Sequence, residues 1–333
     1  METLFECPKR MDFGPCGGVG FDGSCEVSPH RCVFLDLPTV RWEGPEPLNP
    51  PASAMRELMA SRPVVVADFP ARALDAASIE ECGGILAGTV DAVLAGDAGN
   101  ARVQFPPAYR AALIRRAGLD VWTGLNCRDR NRVAIEGELA ALAHAGVAGV
   151  HCVTGDHTLT GDRPDALPVF DLDSTEAASL ARAAGHLVSV AEAPATPPVD
   201  RRPDRLLQKA RAGAEVCFVN HAGGAAPVAE FVDRAQQLGA AMAFIPCVPV
   251  VVGIESAELL ASFTTLVLPE GYLERILVAR DPFEQGIAEA VALSQAMLAI
   301  DGVRGVNLSG GTSPGREPWF AEALALIAQR LAA

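Results

Sequence analysis

The sequence has no apolar run of the roughly 18–20 residues that a membrane helix needs, so no bilayer-spanning helix is expected. Its first residues, METLFECPKR, lack the apolar core of a secretory signal, and the expected location is the cytoplasm. Positive charge is scarce: 27 Lys and Arg stand against 41 Asp and Glu, for a net charge of −14. Non-specific nucleic-acid binding needs a basic face, so nucleic acid is not an expected partner. No G-x-G-x-x-G follows a first strand, which weakens the case for a doubly wound dinucleotide-binding sheet. Gly17-Gly18-Val19-Gly20 is glycine-rich, but it follows no strand-like run and precedes no helix. The Cys-x-x-Cys knuckles of common zinc sites are also absent.

Cysteine itself is present and unevenly placed. Cys7, Cys16, Cys25 and Cys32 fall within the first 32 residues, and the other five are scattered, four of them in or beside apolar runs where small core residues are expected. In a cytosolic chain the first four read as metal ligands or free thiols, not disulfides. Residues 1–35 hold too few apolar side chains to fold by burial alone, so a staple is expected, and thiolate–metal bonds supply folding free energy directly. Zn²⁺ is the first expectation and a 4Fe–4S cluster the second; a glycine-rich cap with free thiols is the alternative. Residues 36–62, punctuated by Pro38, Pro45, Pro47, Pro50 and Pro51, read as a connector with a short helix near its end.

From residue 63 to 333 the pattern is strand then helix, repeated. Strand candidates are 64–67, 91–95, 121–126, 147–154, 187–191, 214–219, 242–245 and 303–308. Eight such repeats in one domain fit an α/β fold of the (β/α)₈ TIM-barrel type, with a small N-terminal Cys/Gly-rich module. Between the third and fourth strands, Ile135, Leu139 and Leu142 recur at helical spacing and Gly146 sits where a helix would end. Barrel chemistry collects at the C-terminal ends of the strands, so those ends are the candidate site.

The third strand ends Asn126-Cys127-Arg128-Asp129-Arg130-Asn131 and the fourth ends Thr154-Gly155-Asp156-His157. Together with the loop Gly96-Asp97 to Arg102-Val103, the Pro168-Val169-Phe170-Asp171-Leu172-Asp173-Ser174 loop, Ala212-Gly213-Ala214 and Ile245-Pro246-Cys247, these runs resemble the methylenetetrahydrofolate reductase family. The cysteine run is similar to a small module attached to some of those reductases.

The resemblance implies reduction of 5,10-methylenetetrahydrofolate to 5-methyltetrahydrofolate by NAD(P)H. It implies Asp68 as proton donor, in the place of a family Glu, and Asp156 as the carboxylate beside the pterin. Asn220 stands where a family Gln reads the pterin edge, and Asp97, Arg102, Asn126, Arg128 and Phe170 are substrate-side candidates. An Asp that caps the turn after the first strand, and a structural ion network at Arg128, remain alternative readings. Thr154, Gly155, His157, Glu192 and Lys209 occupy cofactor-side positions, and Arg102, Arg128 and Arg163 are candidates for the folate tail. Gly124, Thr154 and Ala193 replace flavin-side groups, so FAD is doubtful and direct hydride transfer is compatible. The alternatives are a non-reducing pterin-binding protein and an Fe–S-linked protein served by an electron-transfer or methyltransferase partner; a homodimer is the other expected assembly.

Overall fold

The structure is a computed structural model that describes residues 7–97, 101–263 and 265–333. Residues 98–100, in the loop read as a substrate-side candidate, lie outside that range. Eight parallel strands close into a barrel in sequence order: β1 (Val64–Asp68), β2 (Ala92–Ala95), β3 (Val121–Asn126), β4 (Gly149–Val153), β5 (Val188–Glu192), β6 (Val216–Val219), β7 (Ala243–Pro249) and β8 (Gly305–Ser309). All eight overlap the expected strands, and β8 pairs with β1 at Val64–Gly305 through Ala67–Leu308 to close the ring. The helices are α1 (Ala54–Ser61), α2 (Ala76–Leu86), α3 (Pro107–Arg116), α4 (Arg132–Ala145), α5 (Ser174–Ala183), α6 (Arg202–Arg211), α7 (Ala225–Gln237), α8 (Ile254–Ala261), α9 (Tyr272–Leu277), α10 (Pro282–Leu298) and α11 (Glu317–Ala332).

Strand side chains alternate in direction, and the sequence uses both faces. One face, with Val93, Val121, Val150, Val188, Val190, Cys217, Val219, Val306 and Leu308, joins the apolar stripes of the helices in the larger core. The other face fills the barrel with Val64, Val66, Trp122, Val216, Phe218 and Ile245. Met55 and Met59 of α1 close this inner core at the N-terminal end of the strands. Burying each such large side chain contributes about 1.5–3 kcal/mol. Further along the same inward faces the residues turn polar: Asp68, Asn126, Asn220, Asn307 and Ser309. The inner core therefore stops short of the C-terminal mouth.

Local signals place β3, α4 and β4 as expected. The Asn131 side chain accepts the Ala134 N–H at the start of α4, Ile135, Leu139 and Leu142 are buried, and Gly146 ends the helix at φ 68°. Only glycine adopts that left-handed backbone freely.

The cysteine-rich module contains no named strand or α-helix in residues 7–32, only the antiparallel bridges Val19–Cys25 and Ser24–Arg31. It sits across the barrel mouth. Arg202 of α6 donates to the Cys16 carbonyl at 3.0 Å, Thr265 Oγ1 donates to the Gly17 carbonyl at 3.2 Å, and the His157 N–H donates to Glu26 Oε1 at 3.0 Å. From there the connector runs down the flank of α5 and α6. Arg201 donates to the Leu35 and Leu37 carbonyls, Gln208 accepts the Trp42 N–H at 3.0 Å, and Arg182 donates to the Leu48 carbonyl at 2.9 Å.

Candidate functional site in the barrel mouth

A pocket of about 360 Å³ lies between the mouth and the module, at the small end of the ligand-site range. Strand ends supply Asp97, Asn126, Thr154, Gly155, Asp156, Glu192 and Asn220 to its wall, and α6 supplies Lys209. The module supplies Lys9, Met11, Cys16, Gly17 and Glu26. Cys16 was expected only as a metal ligand; Lys9, Met11, Gly17, Glu26 and His151 are wall residues that sequence reasoning missed. His151 sits inside the apolar run of β4, so only its inward parity on the strand could have flagged it.

The polar groups on this wall are positioned by one another. Asn126 Nδ2 donates to Asp97 Oδ2 at 3.1 Å, and Asn126 Oδ1 accepts from the Asp129 N–H and from Arg130. Arg128, fully buried beneath the wall, pairs with Asp97 at 2.9 Å and holds Asp129 through two hydrogen bonds at 2.7 Å. Ser174 at the start of α5 donates its N–H to Thr154 Oγ1 at 3.1 Å. Gly155 turns the chain at φ 90°, which sets Asp156 at the rim with its side chain 67% exposed. Glu192 is enclosed between Lys209 at 2.8 Å and Arg202 at 3.1 Å. Burial alone would raise its pKa, but the two cations outweigh burial and hold it below the usual carboxylate range. Burial pushes His151 down to about 3, so it is a neutral ring, with Nδ1 2.9 Å from Ser189 Oγ.

Within the module, Lys9 holds Glu26, the carboxylate that accepts the His157 N–H of the barrel. Its ammonium pairs with Glu26 at 2.7 Å with both side chains 5% exposed. Burial opposes its charge, but the Cys16 sulfur, Glu26 and Asp156 outweigh burial and raise its pKa. Lys9 is thus a charged group at neutral pH inside the pocket wall.

Several expected residues stand elsewhere. Asp68 does not line the pocket. Its oxygens accept from Asn307 at 2.8 Å, Ser309 at 2.8 Å and the Gly310 N–H at 3.2 Å. Burial raises its pKa against those three bonds, and its oxygens face β8 donors instead of the pocket. Phe170 is buried under His157, with ring centroids 5.8 Å apart, and neither ring faces the pocket. Arg163 is paired with Asp165 at 2.8 Å on an exposed loop. Arg102 donates its N–H to Asp162 at 2.9 Å and lines an adjoining chamber instead.

The flavin-side positions now have a structural account at Gly124. A Cβ there would lie 2.8 Å from Gly96 Cα and 3.2 Å from the Ala95 carbonyl, so β2 and β3 approach too closely for a side chain. The four module cysteines suit a soft, thiolate-binding ion in kind. The N–H groups of Lys9 and Met11 approach the Cys7 sulfur and that of Phe34 approaches Cys32. Burial raises both thiols, Cys32 to about 11. Among the described residues, however, no three His, Cys, Asp or Glu side chains stand close enough to hold one ion.

Residues 3–40 match a family model described as methylene-tetrahydrofolate reductase C terminal. That match is confined to the N-terminal module and does not extend to the barrel. In this chain the matched module precedes the barrel. The barrel resembles a Clostridium thermocellum protein described as uncharacterized and as binding two copies of 5-methyl-5,6,7,8-tetrahydrofolic acid. That match has a TM-score of 0.61 at 10% identity and covers 84% of this chain and 99% of the other. Tryptophan synthase from M. tuberculosis, in an open form with BRD0059 bound, aligns at TM-score 0.48 and 13% identity over 84% of this chain and 100% of the other. A 2,3-dimethylmalate lyase of the PEP mutase/isocitrate lyase superfamily aligns at 0.46 and 15% over 84% and 85%. No curated protein sequence matches the chain. Among the described residues, no helix is long and apolar enough to cross a membrane.

Proposed function

We propose that the pocket between barrel and module binds a tetrahydrofolate, and that the chain acts on the one-carbon unit carried at its N5. The observation that supports this most is the wall itself: Asn126, Asp156 and Asn220, on three strands, meet around one space that the reductase-family module closes. An Asn side chain offers both a donor and an acceptor, which suits the mixed edge of a pterin. Asp156 would balance the positive charge of an N5-iminium. Lys9 and Glu26 would fix the module over the ring and exclude water.

The reaction we assign is reduction of 5,10-methylenetetrahydrofolate. The bond from the methylene carbon to N10 breaks, N10 takes a proton, and NAD(P)H delivers hydride to the carbon to give 5-methyltetrahydrofolate. Asp68 is given no proton-transfer step here, because its oxygens are occupied by β8 donors. One feature favours a second reading: Cys16 lies on the pocket wall. Under it, Cys7, Cys16, Cys25 and Cys32 would have to draw together to hold Zn²⁺ or a 4Fe–4S cluster, because among the described residues no three such side chains are close enough to do so, and a protein partner would supply the electrons. Thiolate coordination would staple the module and, with iron, carry single electrons.

Calorimetric titration of the purified protein with 5-methyltetrahydrofolate tests binding; no heat of binding at millimolar ligand would refute the folate reading. Anaerobic NADH or NADPH oxidation with 5,10-methylenetetrahydrofolate tests the reaction. Binding without oxidation of either nicotinamide would move the assignment to the partner-dependent reading. Metal analysis and the visible spectrum then separate zinc from iron–sulfur, since a colourless zinc protein would end the electron-carrying variant.

A further inference from the structure

Beside the central pocket lies a second chamber of about 270 Å³, between the mouths of β2 and β3. The two spaces share Gly96, Asp97, Gly124 and Asn126 as wall residues. Gly124 has no side chain to divide them. The chamber's cations are Arg102, Arg110 and Arg130, and its carboxylates are Asp97 and Asp129. Both aspartates are already bound to the buried Arg128. Arg102 is paired with Asp156 at 3.9 Å, so the chamber's less compensated positive charge rests on Arg110 and Arg130.

Arg110 carries the argument. Its side chain sits on α3 and is 7% exposed. One terminal nitrogen, Nη1, donates to the Gly96 carbonyl and to Gln104 Oε1. Both acceptors are neutral. Among the described residues no carboxylate oxygen lies within 4.0 Å of it, and Nε and Nη2 have no hydrogen-bond partner. Withdrawing an ion from water costs several kcal/mol unless a counter-charge offsets it, by a general rule that puts the cost at roughly that scale. Burial accordingly pulls the guanidinium down to about 10, with Asp97 opposing from a distance. Arg130 is weakly paired as well: Asp129 lies 3.9 Å away, and its closer partner is the neutral Asn126 Oδ1 at 3.2 Å.

We propose that this chamber seats the anionic arm, carboxylate or phosphate, of the molecule whose ring occupies the central pocket. Planar guanidinium groups match either anion in a two-pronged geometry. If the folate reading holds, the arm is the γ-glutamyl tail. Arg110 and Arg130 then set the preference for tail length.

The test is calorimetric titration of the whole protein with tetrahydrofolates carrying one and three glutamates, and with 6-methyltetrahydropterin, which has no tail. The expected result is tighter binding of the tailed ligands, by about tenfold or more for one charge-assisted contact. Arg110→Gln should abolish that preference and leave 6-methyltetrahydropterin binding unchanged; Arg110→Lys should retain part of it. Equal binding of tailed and tailless ligands by the unmodified protein overturns the proposal and leaves the folate reading intact. Equal weakening of both ligands by Arg110→Lys also overturns it, and that variant decides if Arg110→Gln does not fold. Failure of every pterin to bind, with Arg110-dependent preference for FMN over riboflavin or NADPH over NADH, keeps the chamber as a phosphate seat and removes the folate reading. Failure of all of these ligands removes both.

Discussion

The two sides of the barrel mouth carry similar polar residues and use them in opposite ways. On the side of β8 and β1, Asn307, Ser309 and Asp68 bond to one another, and His221 Nε2 stands 3.3 Å from Ser309 Oγ. On the side of β2 to β6, Asn126, Asp156 and Asn220 face a cavity. Engagement by neighbours does not by itself divide the sides: Asn126 is bonded to Asp97, Asp129 and Arg130, while Asn307 Oδ1 has no hydrogen-bond partner; what differs is the cavity that the β3 to β6 residues border. The closed side acts as a rigid polar seam, and the open side as the ligand wall.

The largest expected effect comes from undoing the closure over the open side. Lys9→Met would leave Glu26 charged and buried without its 2.7 Å partner. Breaking one member of a buried pair costs about 3–5 kcal/mol. Urea unfolding should show that loss, with folate binding weakened in step; unchanged stability would mean the module is not held by this pair.

Acid should act on the neutral histidines of both sides. Burial lowers His151 to about 3 and His221 to about 4, and lowers His157 and His186 as well. Unfolded, each regains a value near 6.5 and binds protons that the folded state refuses. Stability should be fully present above about pH 6.5 and fall as pH drops toward 4, by about 1.4 kcal/mol per pH unit for each fully titrating site. Asp68, raised by burial, offsets part of this. Urea midpoints at several pH values check the slope, and His221→Gln should flatten it.

Two smaller substitutions sharpen the contrast between the sides. Asp68→Asn faces three donors with an amide, so it should cost about 1–3 kcal/mol of stability and leave ligand affinity unchanged. Asn220→Ala should do the reverse, weakening folate binding by about tenfold through one lost hydrogen-bonding group, with little change in melting temperature. If Asp68→Asn abolished turnover at full binding, the proton-donor expectation would return.

The barrel was readable from sequence because parallel strands buried on both faces form continuous apolar runs, and turn residues separate them. β3 was read at its observed bounds for this reason, and α4 because its stripe and Gly146 agree. The site was readable residue by residue but not in its partnerships. Asp68 and Asn220 look equivalent as strand-end residues, yet Asn307 and Ser309, more than 230 positions away in the chain, occupy the first. The module was read as a separate unit because its composition signals a need for a staple and says nothing of docking. Its seating depends on Arg202 and Thr265 meeting bare carbonyls of Cys16 and Gly17, which no local pattern announces.

The strap from module to α1 has a consequence for the order in which the protein completes itself during synthesis. Residues 7–35 leave the ribosome first, but their partners His157, Arg202 and Thr265 follow much later. At about 5–20 residues per second, the wait for Thr265 is on the order of 10–50 s. Until then the Cys16 and Gly17 carbonyls and the Glu26 carboxylate lack their barrel partners, so the module is seated only after the last of those partners has emerged.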